Sequence, residues 1–295
     1  MATIEAEKLP LIVIVGPTAS GKSALAIELA EHFDGEIICS DSRTVYRGMD
    51  IGTAKPSAED RARVPHWGLD LVEPDERFTA ADFKEYAVKK IAEIRSRGRL
   101  PIMVGGTGLY VDGVIFDYKF GKTDPQLRQK LEKLTLEELK KYCANNNIEL
   151  PENDQNRRYV IRAIEQNQVN RERSDSVIVG TYVVGIATEK EQLLDRISER
   201  ADQLMQNGVV SEAQKLAEKY GWESEAMTGN IYPLVRRLLS GEVSEEEMKQ
   251  LSITADWQLA KRQLTWFRRN PEIVWLPLDR LKVYLFDLLN KNVLS

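Results

Sequence analysis

Short apolar runs recur in the first third of the chain and predict buried strands. The clearest are residues 11–15, 36–40 and 101–104. Between the last two lies helical periodicity over residues 79–97, where Thr79 can cap the helix. Its apolar face is formed by Phe83, Ala87, Ile91 and Ile94. Buried strands that alternate with helices are typical of an α/β fold built on a parallel sheet.

The alternation of strand and helix lapses after Tyr110, and the pattern becomes helical. Asp124 and Pro125 begin a short helix, and Thr135 with Glu138 forms a capping box for the next one. Strand character returns at residues 177–187, after which Thr188 and Glu191 are predicted to cap a further helix. We therefore predict a P-loop NTPase-like core of residues 1–121 and 176–295. Residues 122–175 would be a helical insertion, and the C-terminal region would be mostly helical.

Composition favours a soluble enzyme. The chain has 295 residues, and no run approaches the length of a membrane-spanning helix. The first ten residues lack the basic and apolar parts of a signal peptide. Its two cysteines, Cys39 and Cys143, have no zinc-site spacing, so a reducing cytoplasm is the expected location. The chain has no long apolar seam of the kind that would indicate an obligate protein partner. No membrane association is expected.

A complete phosphate-binding motif occupies residues 16–23, between the first predicted strand and a helical pattern. In such a loop, glycines let several backbone amides and a helix N-terminus converge on one anion. The motif predicts a bound diphosphate or triphosphate, with Lys22 on the terminal phosphates and Ser23 on Mg²⁺. The predicted phosphate-binding residues are Gly16, Pro17, Thr18, Ala19, Ser20, Gly21, Lys22 and Ser23.

The acidic residue that phosphoryl transfer usually requires on a second strand is absent from the expected place. The strand at residues 101–104 ends instead in Gly105-Gly106-Thr107-Gly108. Asp41 follows the strand at residues 36–40, and the carboxyl ends of parallel strands line the ligand crevice in such folds. We expect Asp41 and Thr107 to face the same crevice as Lys22. A lone carboxylate there suits either a general base or a metal ligand.

Four further stretches resemble the signatures of the tRNA dimethylallyltransferases. They are residues 41–56, which begin Asp41-Ser42-Arg43-Thr44, and residues 64–66, 105–110 and 260–269. The resemblance implies that the phosphate loop holds dimethylallyl diphosphate and that diphosphate leaves when an adenosine amine of tRNA attacks. It also implies that Asp41 is the catalytic base, that Thr107 contacts the adenine, and that Mg²⁺ on Ser23 helps to neutralise the leaving group.

The predicted tRNA footprint must be reconciled with a net charge of −5. RNA affinity depends on local positive charge, and basic residues cluster at 157–173 and at 261–269. By resemblance, these clusters and Arg128 would grip the anticodon stem-loop, and Thr44 stands where relatives often carry glutamine. The predicted tRNA-binding residues are Asp41, Ser42, Arg43, Thr44, Thr107, Arg128, Arg158, Arg162, Arg268 and Arg269.

Two alternatives share the phosphate loop. One is prenyl transfer to a free adenine nucleotide, which needs neither basic cluster. The other is an ATP- or GTP-dependent protein, either a small-molecule kinase or an RNA-binding switch, which the missing second acid and the sequence from Asp41 to Thr44 disfavour.

Overall fold

One parallel sheet organises the computed structural model, which describes residues 9–120, 124–167, 173–229 and 231–292. Along the sheet the strands run in the order β3-β2-β4-β1-β5-β6, and every pair is parallel. Their bounds are β1 Leu11–Val15, β2 Gly35–Cys39, β3 His66–Trp67, β4 Leu100–Gly105, β5 Thr181–Ala187 and β6 Val274–Pro277. The predicted α/β class with a parallel P-loop-like sheet is confirmed.

Helices connect the strands and dominate the C-terminal region, as predicted. The first four are α1 Lys22–His32, α2 Ala58–Arg63, α3 Ala80–Ser96 and α4 Gly108–Ile115. The next three are α5 Pro125–Leu131, α6 Leu136–Asn145 and α7 Arg157–Asn167. The last five are α8 Lys190–Gln206, α9 Val209–Tyr220, α10 Tyr232–Leu239, α11 Glu245–Phe267 and α12 Leu278–Asn292, with a 3-10 turn at Ala226–Thr228.

The helix starts predicted at Thr79, Asp124 and Thr135 are confirmed, whereas the capping boxes at Ser57 and Ser244 were not predicted. Thr79 accepts a hydrogen bond from Asp82 N and receives the reciprocal cap, and the four apolar residues predicted for α3 are all buried. Asp124 and the Thr135–Glu138 pair also cap their helices as predicted. The predicted cap of α8 is wrong. Glu189 precedes that helix without a side-chain cap, and the Thr188 hydroxyl is buried without a hydrogen-bond partner.

Strand limits differ from the pattern at three places, and the smallest difference is in β4, which extends one residue beyond the predicted 101–104 at each end. β2 begins one residue earlier than predicted, because its pairing starts at Gly35. The backbone there is so close to β4 that a Cβ on residue 35 would lie 3.0 Å from the carbonyl oxygen of Leu100. The apolar residues 177–179 do not join β5. Gly180 has φ +78°, which turns the chain before Thr181, and Val179 is fully exposed.

The chain forms two compact units. One contains residues up to 115 and from 177 onward, and the other contains residues 116–176. Helices α5, α6 and α7 of the smaller unit pack around their own apolar core, formed by Leu131, Leu139, Cys143, Val160, Ile161 and Ile164. The assignment of residues 122–175 as a domain that contacts tRNA stays a prediction.

Buried apolar side chains from β1, β2, β4 and β5 form the core of the larger unit, together with α1 and α12. This core fixes the ends of the strands from which the site loops leave. Within the described ranges, every helix is too short or too polar to cross a lipid bilayer.

Candidate active site

A cavity of about 770 Å³ opens at the carboxyl ends of the central strands. The loops after β1, β2 and β4 form one part of its wall, and side chains of α8 and α11 form another. Predicted site residues in this wall are Thr18, Ala19, Ser20, Gly21, Lys22, Ser23, Asp41, Ser42, Arg43, Thr44 and Thr107. The structure thus brings residues 18–23 of the phosphate loop (residues 16–23), Asp41 and Thr107 to one cavity, whereas the predicted Gly16 and Pro17 are not in its lining.

The backbone of the phosphate loop adopts a conformation that few residues tolerate. Ala19 has φ +62° and Gly21 has φ +93°, both in the left-handed region. Gly21 immediately precedes α1, whose first turn carries no acidic residue. Successive amides in such a turn, followed by a helix N-terminus, form a concave site for an anion.

Lys22 lies within this loop, and its Nζ donates to Pro17 O at 2.5 Å. Burial lowers the pKa of Lys22 to about 8, and the nearby Arg200 acts in the same direction, while Asp41 opposes them. The positive charge of the Lys22 ammonium group is therefore not fully balanced by negative charge in the cavity. A bound polyanion would supply the missing negative charge.

Two arginines of α8 contact the phosphate loop, and the sequence prediction missed both. Arg196 Nη1 donates to Ser20 O at 3.2 Å, and Arg200 Nη1 donates to Thr18 Oγ1 at 3.1 Å. Arg200 also lies 3.4 Å from the carboxylate of Asp256 on α11. The available signal was their spacing, because arginines four residues apart share one face of a helix.

Thr107 is hydrogen-bonded to both neighbours of Asp41. Its N–H donates to Ser40 O at 3.2 Å, and its hydroxyl accepts from Ser42 N at 3.0 Å. The Asp41 carboxylate accepts from Arg43 N at 2.8 Å through Oδ1. One carboxylate oxygen thus orients the side chain while the residue lines the cavity.

Arg43 and Thr44 have local partners. The Arg43 guanidinium donates hydrogen bonds to Glu225 O and Ala226 O, at 3.2 and 3.4 Å, where the chain enters the 3-10 turn. Thr44 is buried, and its hydroxyl donates to Asp41 O at 3.3 Å. Both contacts fix the loop around Asp41. Binding of tRNA by these two residues stays a prediction.

An acidic side chain that the sequence prediction missed holds the next part of this segment. The Glu212 carboxylate of α9 accepts from the backbone nitrogens of Asp50, Ile51 and Gly52 at 2.7–2.8 Å. It also accepts from the Tyr232 hydroxyl at 2.8 Å. The backbone nitrogens of residues 50–52 therefore form an anion-binding turn, and the carboxylate of Glu212 occupies it.

Three of the predicted tRNA contacts belong to the smaller unit. Arg128 is largely engaged by Glu132 and Glu165, at 2.7 and 3.1 Å. Arg162 lies 3.3 Å from the same Glu165, and Arg158 is exposed. The charge available to RNA on α5 and α7 is thus smaller than a count of their arginines indicates.

The other basic cluster lies at the end of α11. Arg268 and Arg269 are exposed, and neither lines the cavity. The Arg269 guanidinium lies over the Trp266 ring, 5.5 Å from its centroid. Trp266 itself lines the cavity. A charged, aromatic surface therefore continues from the cavity wall to the end of the helix.

The donor set for a metal ion is sparse. In the parts of the chain that the structure describes, no three His, Cys, Asp or Glu side chains are grouped to hold one. Ser23 is exposed at the start of α1, and its residue lines the cavity. Such a site suits a cation that takes most of its oxygen ligands from phosphate and water, as Mg²⁺ does.

Comparison with known proteins gives one consistent result. The model of the IPP transferase family matches residues 44–270. A tRNA dimethylallyltransferase from Acetivibrio thermocellus is 39% identical over 287 residues, covering 91% of this chain and 92% of that protein. Its counterpart from an Exiguobacterium species is 38% identical and covers 97% and 95%. The crystal structure of the tRNA isopentenylpyrophosphate transferase from Bacillus halodurans has a TM-score of 0.74 and 35% identity, with 96% of both chains covered.

Proposed function

The chain belongs to the IPP transferase family, and we propose that it is a tRNA dimethylallyltransferase. It transfers a dimethylallyl group from dimethylallyl diphosphate to the exocyclic amine of the adenosine 3′-adjacent to the anticodon. The observation that carries this proposal is the shared cavity, which the phosphate loop, Asp41 and Thr107 all line.

Three bond changes make up the proposed reaction. The amine nitrogen forms a bond to the allylic carbon, the bond from that carbon to the diphosphate oxygen breaks, and the amine loses a proton. Asp41 accepts the proton as general base. The diphosphate departs with the bonding electron pair, into a loop whose amides and Lys22 stabilise its charge.

Thr107 serves in the proposal as the adenine contact. It is suited to this role because its backbone and hydroxyl bond the residues on both sides of Asp41. An adenine placed on Thr107 is consequently also placed relative to the base. Holding the reacting groups in a fixed orientation in this way can lower the activation barrier by several kcal/mol.

Mg²⁺ is the proposed cofactor, with the Ser23 hydroxyl as its protein ligand. The exposed Ser23 at the cavity wall and the absence of an acidic cage among the described residues support a cation that arrives with the diphosphate. When bound, Mg²⁺ would neutralise charge on the leaving group. Lys22, Arg196 and Arg200 do the same from the protein side.

The anticodon stem-loop of tRNA is the proposed partner. RNA loops expose unstacked bases, and a base must leave the stack to reach a cavity. The exposed Arg158, Arg268 and Arg269 are proposed to contact the RNA backbone, together with Ser42, Arg43, Thr44, Arg128 and Arg162. A cytoplasmic location is proposed because that is where the RNA substrate would be met.

The test is an assay of prenyl transfer with matched acceptors. The protein is incubated with Mg²⁺, dimethylallyl diphosphate and unmodified tRNA, and in parallel with AMP or ATP as acceptor. We expect one isoprenoid per tRNA, equimolar diphosphate release, and no product from either nucleotide. Transfer to AMP alone would indicate a free-nucleotide enzyme. ATP cleavage without isoprenoid transfer would overturn the proposal in favour of a kinase.

A further inference from the structure

One buried side chain is hydrogen-bonded to both loops that the proposed reaction uses. Gln263 Oε1 accepts from Thr18 N at 2.7 Å, and Gln263 Nε2 donates to Gly106 O at 3.2 Å. Thr18 belongs to the phosphate loop, and Gly106 immediately precedes Thr107. A single carboxamide on α11 therefore joins the loop for the diphosphate to the loop for the adenine.

The chemistry of the two partners determines the orientation of this carboxamide. Thr18 offers an N–H, which can only donate, and Gly106 offers a carbonyl, which can only accept. If the amide were rotated by half a turn, Nε2 would face the Thr18 N–H, two donors together, and Oε1 would face Gly106 O, two acceptors together. Both ends are satisfied in one orientation only, in a buried position where an unpaired polar group is costly.

The loop at residues 105–108 fits closely against the same helix face. A Cβ on Gly106 would lie 2.1 Å from Gln263 Nε2, and a Cβ on Gly108 would lie 2.2 Å from Trp266 Cδ1. Trp266 is three residues after Gln263 on α11, and its Nε1 donates to Asp112 at 2.8 Å. Helix α11 thus contacts this loop and the following helix at two points on one face.

We propose that Gln263 is a positioning residue that fixes the spacing between the phosphate loop and the loop carrying Thr107. The inference rests on the proposed function. Gln263 acts through Thr18 and Gly106, and its task is to keep the allylic carbon and the adenine amine in line. Its loss is expected to slow the transfer step more than it weakens binding of either substrate, because small misplacements of reacting groups reduce rates strongly.

The test replaces Gln263 by methionine, which has similar length and makes neither hydrogen bond. Single-turnover transfer is measured with both substrates saturating, and Kd is measured separately for inorganic diphosphate and for tRNA. We expect the rate to fall at least about tenfold while each Kd stays within about threefold. Gln258→Met, on the exposed side of the same helix, is the control and should match the native protein. A rate within about twofold of native, or a diphosphate Kd weakened as much as the rate, would overturn the proposal.

A second variant decides the matter if Gln263→Met does not fold. Gly106→Ala keeps the glutamine but places a methyl group where its amide lies. The flexible side chain must then move, and the same separation of rate from binding is expected. Unchanged transfer in folded Gly106→Ala would contradict the positioning role.

A measurement without substrates separates this inference from the proposed function. Hydrogen exchange at the Thr18 amide should accelerate at least about tenfold in Gln263→Met, while the Arg43 amide, which bonds Asp41, should not change. If native protein transfers no isoprenoid to tRNA, the proposed function fails. Unchanged exchange at Thr18 would instead show that Gln263 does not hold the phosphate loop.

Discussion

The Thr107 hydroxyl lies 3.0 Å from the backbone nitrogen of Ser42, the residue that follows Asp41. Because the Thr107 N–H also bonds Ser40 O, Thr107 holds the chain on both sides of the carboxylate. Two hydrogen bonds therefore join the loop that carries Thr107 to the loop that carries the proposed base. This coupling gives Thr107 a role in the protein before any RNA is bound.

Removal of the Thr107 hydroxyl tests this coupling. Thr107→Val keeps the shape of the side chain but leaves Ser42 N without its partner, so we expect unfolding free energy to fall by about 1 kcal/mol. The transfer rate should fall about tenfold or more, because only one of the two hydrogen bonds that hold the chain on either side of Asp41 remains. Thr107→Ser retains the hydroxyl and should recover most of both losses. If valine and serine behave alike in a transfer assay and in chemical denaturation, the hydroxyl has no such role.

Asp41→Asn tests the general base. The amide oxygen can still accept from Arg43 N, so the loop should keep its conformation while the proton acceptor is lost. We expect the transfer rate to fall by about 10²–10⁴, with the Kd values for tRNA and diphosphate nearly unchanged. Glu199→Gln removes a carboxylate from the same cavity wall and controls for the change in charge. Comparable rate losses in the two variants would mean that charge alone, and no proton transfer, explains the effect.

The sequence predicts the parts of the site that lie directly after strands. The phosphate motif, Asp41 and Thr107 each follow an apolar run, and parallel strands bring such positions to one edge. Arg196, Arg200 and Gln263 reach the same cavity from helices far along the chain. Their convergence depends on how α8 and α11 pack, and no local pattern encodes that packing.

Adjacent residues in a turn also diverge in ways that a motif does not reveal. Asp41, Arg43 and Thr44 all line the cavity, but Thr44 is mostly buried and the Arg43 guanidinium is hydrogen-bonded to carbonyl groups near the 3-10 turn. A similar limit explains the error at residues 177–179. Their apolar side chains favour a strand, but Gly180 turns the backbone and the sheet begins pairing only at Thr181. Tertiary context decided both cases.

The pKa of Lys22 predicts a pH dependence for diphosphate binding. Because burial lowers this pKa to about 8, Lys22 is charged below pH 8 and increasingly neutral above it. A bound anion favours the charged form, so binding above pH 8 requires proton uptake and Kd should weaken by up to about tenfold per pH unit. Lys22→Arg stays charged throughout and should lack this component, while ionisation of the ligand affects both proteins equally. Calorimetric Kd values from pH 6.5 to pH 9.5 that run parallel for the two proteins would exclude Lys22 from the response.

Exposed charge at the end of α11 predicts a change in the salt dependence of tRNA binding. Each phosphate contact contributes about 0.7–0.9 to the slope of log Kd against log salt, so Arg268→Ala with Arg269→Ala should lower that slope by about 1.4–1.8. The double variant should keep its Kd for diphosphate, since neither arginine lines the cavity. Arg280→Ala with Lys282→Ala on α12 removes equal charge elsewhere and should leave the slope close to native. If both double variants shift the slope equally, overall charge governs the association. A slope reduced only in the Arg268 and Arg269 variant would make the end of α11 part of the RNA footprint, because release of counterions by two lost phosphate contacts accounts for it.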